Sequence, residues 1–196
     1  VLNTYLSGTN SGGAVLSADG SQLAFHSLVN LAPSDVNGAP DIYVMNLTTG
    51  AITLASSDAS GQGSSTGYSV TPVFSPDGTK VYFFSNSALT PGDSDTLWDV
   101  YEKNLLTGQV RRLNQSFDGS PISGDSAPGG YLSISADGSK LAFSSASPNL
   151  VVGDNNGLSD VFVINLNAGT STGWKAGSDD TFVAVSGSGG TTGGDG

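Results

Sequence analysis

The chain has 196 residues, 37% of them hydrophobic, and sets 17 acidic side chains against 6 basic ones for a net charge of −11. That balance leaves no basic face for a phosphate backbone, which excludes nucleic-acid binding, and no run of about 18 apolar residues is present to span a membrane. Cysteine is absent, which excludes disulfides and thiolate metal sites. Every acid but Glu102 is an Asp, and there are 28 glycines. Asp, Gly and Ser weaken helix interiors and favour turns, so the composition points to an all-β chain. Its first residue is Val, with no leader ahead of it, as expected of a processed product or an excised part of a longer protein. The Asp excess and scarcity of Lys point to an extracellular or cell-surface location, with the periplasm as the alternative.

In chain order, residues 1–7 read as an outer strand belonging to a preceding unit. Residues 14–17 form a first short strand, closed by a Ser-x-Asp-Gly turn at Asp19, where both central residues tolerate positive φ. A second strand follows at 23–27, a third at 42–46, and a fourth at 52–55. The whole unit then returns. Leu16-Ser-Ala-Asp-Gly-Ser-Gln-Leu-Ala-Phe25 recurs as Phe74-Ser-Pro-Asp-Gly-Thr-Lys-Val-Tyr-Phe83 and as Ile134-Ser-Ala-Asp-Gly-Ser-Lys-Leu-Ala-Phe143. A second landmark keeps the same register: Asp41-Ile-Tyr-Val, Asp99-Val-Tyr-Glu and Asp160-Val-Phe-Val. The Asp-Gly pairs are 58 and 60 residues apart and the second landmarks 58 and 61. Two landmarks in register across three copies define a repeat.

Four strands of about five residues per unit, with turn chemistry between them, suit one blade of a β-propeller. The Ser-Pro-Asp-Gly-Thr-Lys-Val-Tyr-Phe segment resembles the WD40-like PD40 repeat of TolB-type propellers. Asn149-Leu150, Asp154, Asn156 and Asp160-Val-Phe-Val resemble the version of that repeat found in large bacterial secreted and surface proteins. The resemblance covers roughly residues 1–186 and implies three blades, at about 14–55, 72–113 and 131–186, followed by a Gly/Thr-rich tail at 187–196. The third outer strand is expected at 181–186, displaced by an insertion around 169–180. Propellers close with 4–8 blades, so three blades imply an incomplete ring. Its completion is expected from a second copy, as a homo-oligomer, or from continuation of a longer chain.

The most chemical feature is the loop between the second and third strands of each unit. Its polar residues are Asp35, Asn37 and Asp41, then Asp93, Asp95 and Asp99, then Asp154, Asn156 and Asp160. Oxygen donors at alternating positions ahead of a closing carboxylate suit Ca²⁺, which takes 6–8 oxygens. The spacing resembles the second half of the calcium loops of integrin-type propellers. The first ligand position, however, holds Pro33, Pro91 or Val152. The competing reading is structural: Asp and Asn close Asx turns and tie blades together.

Trp98 stands in the second acidic loop, where the other copies have Pro40 and Ser159, and is a candidate to stack on a sugar or anchor a protein partner. Two Gly-x-Ser-x-Gly matches, at 63–67 and 169–173, resemble a hydrolase nucleophile elbow. Neither lies between a strand and a helix, and they read as composition. His26, the single histidine, lies on an alternating strand just after Phe25 and reads as a buried or interface residue. The expected function is a non-catalytic interaction or scaffold module that presents propeller loops to a protein or glycan. The alternatives are a structural subunit that polymerises by donating its N-terminal strand, and part of a propeller hydrolase or lyase.

Overall fold

The computed structural model describes residues 11–116, 119–126, 130–152, 154, 157–166 and the backbone of 182–184. The expected strand at 1–7, the insertion with Trp174, the second Gly-x-Ser-x-Gly match and the tail at 187–196 lie outside the described residues, as does Asn156.

Twelve strands occur among the described residues, and no helix. They are β1 (Ser11–Leu16), β2 (Gln22–Ser27), β3 (Asp41–Asn46), β4 (Ile52–Leu54), β5 (Ser69–Phe74), β6 (Lys80–Ser85), β7 (Asp99–Asn104), β8 (Val110–Arg112), β9 (Ser133–Ile134), β10 (Lys140–Ser145), β11 (Asp160–Asn165) and β12 (Phe182–Ala184). They form three antiparallel four-stranded sheets in the orders β1-β2-β3-β4, β5-β6-β7-β8 and β9-β10-β11-β12. Each sheet is one copy of the repeat, so each is one blade.

The repeated turn departs from expectation in one respect. Only the glycine takes positive φ, at +70° for Gly20, +68° for Gly78 and +72° for Gly138. The Gly20 N–H donates to the Ser17 carbonyl at 2.9 Å. The Asp stays on the ordinary side of φ because its carboxylate is engaged: Asp19 accepts from Ser17 Oγ at 2.6 Å and from the Ser21 N–H at 3.0 Å.

The first strand also starts earlier than residue 14, at Ser11, because a bulge between Gly12 and Val15 lets the ladder continue. Gly13 takes φ +62° there. Blade 2 carries the same bulge between Val70 and Val73, and the residue taking the left-handed conformation is Thr71, at φ 57°.

Alternation along each strand sends successive side chains to opposite faces, and both faces of blade 2 are covered. Ala24, Ile42, Val44 and Ala55 of blade 1 pack against Val81, Phe83 and Tyr101 of blade 2. Tyr82, Phe84, Val100 and Leu113 on the other face meet Leu141, Phe143, Phe162 and Ile164 of blade 3. Backbone bonds stitch the same joints, from the Ser69 N–H to the Pro40 carbonyl at 2.7 Å and from the Ser126 N–H to the Trp98 carbonyl at 2.7 Å.

The stack stops at blade 3. Ile42 and Val100 are 0% exposed beneath the following blade, whereas Val161, at the matching position of blade 3, is 37% exposed. Three blades leave the ring unclosed.

Candidate functional site

Each acidic loop joins the second strand of a blade to the third, so all three lie at the same end of the blades. The first two are built bond for bond alike. The Asp35 N–H donates to the Ala32 carbonyl at 3.0 Å, and the Asp93 N–H to the Thr90 carbonyl at 3.0 Å. Asp35 Oδ1 accepts the Asn37 N–H at 3.3 Å, and Asp93 Oδ1 the Asp95 N–H at 3.4 Å. Asn37 Oδ1 and Asp95 Oδ1 then accept the N–H groups of Ala39 and Leu97, at 2.6 and 2.8 Å. These are consecutive Asx turns.

Two further contacts position the carboxylates. The Tyr43 hydroxyl donates to Asp35 Oδ2, and the Tyr101 hydroxyl to Asp93 Oδ2. Burial, with the neighbouring carboxylate second, pushes both phenol pKa values up, so the hydroxyls keep their protons as donors. Asp41 and Asp99 are clamped from the second residue past the fourth strand's end. Ser56 Oγ donates to Asp41 Oδ1 at 2.6 Å, and Asn114 Nδ2 to Asp99 Oδ1 at 2.9 Å. The same side chains accept the N–H groups of Ile42 and Val100, fixing the start of the third strand.

The loops differ in their charge environment. In blade 2, Asp93, Asp95 and Asp99 bring carboxylate oxygens within 4.8 Å of one another, a grouping able to hold a metal ion. Arg112 Nη1 stands 3.6 Å from Asp93 Oδ1 and 3.4 Å from Asp99 Oδ2. Burial still dominates over Arg112 and raises the Asp99 pKa to about 7. In blade 1 the residue in register with Arg112 is Leu54, since Leu54 faces Tyr43 as Arg112 faces Tyr101. There Asp41 Oδ2 is buried without a hydrogen-bond partner, and burial pushes the Asp41 pKa to about 6.

Blade 3 lacks the phenol, because Phe162 takes the place of the two tyrosines, and Asp154 Oδ1 is buried without a partner. Asp160 is buried at the start of β11.

The structure thus brings together Asp35, Asn37 and Asp41, and separately Asp93, Asp95 and Asp99. It adds Tyr43, Tyr101, Ser56, Asn114 and Arg112, which the sequence reading did not assign. The aligned repeats carried a signal for the tyrosines, which share a column with Phe162, and for Ser56 and Asn114, which stand 58 residues apart.

Trp98 is partly buried and packs on the cluster between blades 2 and 3, while its N–H donates to Asp125 Oδ1 at 2.9 Å. His26 packs on the bulge, where a Cβ at Gly13 would stand 2.9 Å from its Nδ1. The first Gly-x-Ser-x-Gly match lies in the β4–β5 connection with no helix after it. No described helix is long and apolar enough to cross a membrane.

Comparison with protein-family models gives no match, and comparison with curated sequences gives none. Solved structures do match. TolB from Acinetobacter baumannii superposes with a TM-score of 0.52 at 23% identity, over 92% of this chain and 34% of its own. The fold is that of a TolB-type β-propeller. The tricorn protease superposes with a TM-score of 0.55 at 15% identity, over 96% of this chain and 18% of its own. The chain therefore spans about a third of that TolB and under a fifth of the protease. At these identities the likeness fixes the fold of this TolB-like propeller and leaves its chemistry to its own residues.

Proposed function

We propose that this chain is a non-catalytic, extracellular or cell-surface interaction module, whose propeller loops engage a protein or glycan partner. The observation that carries the reading is the build of the end bearing the acidic loops. In the loops of blades 1 and 2 the backbone is held by consecutive Asx turns, and Val36 in the first of them is 62% exposed, while Val152 and Leu158 in the loop of blade 3 are 64% and 63% exposed. Tyr68, beside them at the entry to β5, is exposed too. Rigid loops with apolar tips lose little conformational entropy on binding, which is what a docking surface needs.

Glu102, Tyr43 and Tyr101, which catalysis could use, are engaged in structure instead, while His26 Nδ1 is buried with no hydrogen-bond partner. Glu102 is held by Lys80 and Arg111, at 3.3 and 3.1 Å. Tyr43 and Tyr101 donate to loop carboxylates, and His26 is wedged on the bulge. A hard divalent cation, Ca²⁺ by the all-oxygen donor set, would brace the acidic loops. The outer face of blade 3, where Val161 is 37% exposed, would receive a further blade, from a second copy or from a longer chain.

The test is a panel of protein and glycan ligands against wild type and a Val36→Asp, Leu158→Asp variant. The reading expects binding that the double variant loses while its circular dichroism stays unchanged. Hydrolase or lyase turnover by the purified chain, lost in His26→Ala, would overturn it.

A further inference from the structure

The acidic trio of blade 2 has the densest carboxylate charge among the described residues, and it also has its own cation. Arg112 Nη1 reaches both Asp93 and Asp99, and its side chain is 10% exposed. A guanidinium is charged at every accessible pH. A metal ion entering this loop would have to displace it or sit beside it, against like-charge repulsion in a poorly solvated site.

Blade 1 has the same loop without that cation. The Asx turns, the Tyr hydroxyl and the clamp on the closing carboxylate are repeated bond for bond. At the register position of Arg112 stands Leu54, itself buried. The described cations are all engaged elsewhere. Lys80 and Arg111 pair with Glu102, Lys103 donates to the carbonyls of Ser57 and Asp58, and Lys140 donates to Asn165. Asp41 is 1% exposed, and its Oδ2 has no partner. Asp35, by its charge, and Asn37 are the loop groups that face Asp41, whose Oδ1 alone accepts a hydrogen bond, from Ser56. A buried carboxylate oxygen without a donor is costly unless a positive charge meets it.

We propose that the loop of blade 1, through Asp35, Asn37 and Asp41, is a divalent-cation site, and that the loop of blade 2 is not, because Arg112 fills the cation's place there. The proposal rests on the reading of the acidic loops as cation-braced and says which loop takes the ion. Asp41 Oδ2 supplies the central negative oxygen, and Asp35 Oδ1 and the Asn37 amide oxygen supply the next donors. Water completes the 6–8 oxygens that Ca²⁺ takes. One fourth-strand residue thus decides whether a blade carries its counter-ion covalently or borrows it from solution.

The test is calorimetric titration of the chelator-treated full chain with Ca²⁺ alone, with circular dichroism of every variant. Asp41→Asn is expected to weaken binding at least tenfold and Asp99→Asn to leave it unchanged. Arg112→Leu, which gives blade 2 the residue of blade 1, is expected to add one bound ion per chain. Should Asp41→Asn fail to fold, Leu54→Arg keeps both carboxylates and is expected to remove the same ion. If Asp99→Asn abolishes binding while Asp41→Asn does not, the assignment to blade 1 is overturned and the cation-braced reading stands. If wild type gives no heat at millimolar Ca²⁺, both fail, and the interaction reading is still tested separately by the loop-tip variant.

Discussion

Arg112 and Asp99 form an ion pair across the β7–β8 edge, with Nη1 3.4 Å from Oδ2 and the carboxylate fully buried. Arg111, its neighbour on β8, points to the other face and pairs with Glu102, as the two-residue period of a strand requires. Removing one member of a buried pair leaves the other uncompensated, at about 3–5 kcal/mol. Arg112→Leu is therefore expected to lower stability in chelator by about 3 kcal/mol, read from urea denaturation. Saturating Ca²⁺ is expected to recover part of that loss, because binding to the native state alone stabilises it.

Tyr101 and Tyr43 make the same phenol–carboxylate bond. Tyr101→Phe leaves Asp93 Oδ2 without its donor and is expected to cost about 1.5–3 kcal/mol, the range for a hydrogen bond to a charged group. In blade 3 Phe162 stands at the tyrosine position, and Asp154 is buried with its Oδ1 unpartnered. Phe162→Tyr is expected to raise stability, measured by the same denaturation curves.

Thr71 is the one non-glycine residue with positive φ among the described residues, at 57°. A β-branched side chain in that region is strained, by roughly 1–2 kcal/mol. Gly13 occupies the same bulge position in blade 1. Thr71→Gly is expected to stabilise the protein by up to about 1 kcal/mol, since glycine's larger unfolded-state entropy offsets part of the relief. Thermal unfolding of the single variant checks this.

The pH profile has two arms. Serine hydroxyls and the following N–H hold the carboxyls of Asp19 and Asp137 down to about 2, and Asp77 moves the same way. A carboxyl depressed on folding contributes stability that is present above its unfolded value, near 4, and is lost as pH falls through 2. Asp99 goes the other way, to about 7, under burial opposed by Arg112 and Asn114 and reinforced by Asp93 and Asp95. A carboxyl raised on folding holds its proton more tightly in the native state. Its contribution is therefore lost as pH rises from about 4 to about 7. Metal-free protein is expected to unfold at the highest temperature around pH 4–5. Asp99→Asn is expected to reduce the neutral arm to the part set by Asp41, whose carboxyl burial raises to about 6, and to leave the acid arm unchanged.

Much of the fold was legible because the repeat is local. The Ser-x-Asp-Gly turn and the strands on either side of it are consecutive in sequence, from Ser11 to Ser27 in blade 1, and two landmarks in register count the blades. What stayed hidden depends on register between strands that close late. Tyr101 reaches Asp93 eight residues back, and Asn114 and Arg112 reach Asp99 only once β8 has paired with β7. Spacing alone made the three acidic loops look equivalent. Their difference lies in Leu54 and Arg112, which no motif marks, because a fourth strand of three residues carries almost no pattern. Trp98, which the sequence left equally open to anchoring a partner and to packing on a neighbouring loop, packs partly buried on the core between blades 2 and 3.

The claim that one fourth-strand residue sets the charge of each acidic loop is tested most directly by exchanging it. Calorimetric titration with Ca²⁺ would compare wild type with the exchange variant Leu54→Arg, Arg112→Leu in the full chain. The account predicts the same number of bound ions in both, with Asp99→Asn now abolishing the binding that Asp41→Asn abolishes in wild type. Ion binding that stays sensitive to Asp41→Asn in the exchanged protein, and insensitive to Asp99→Asn, would contradict it.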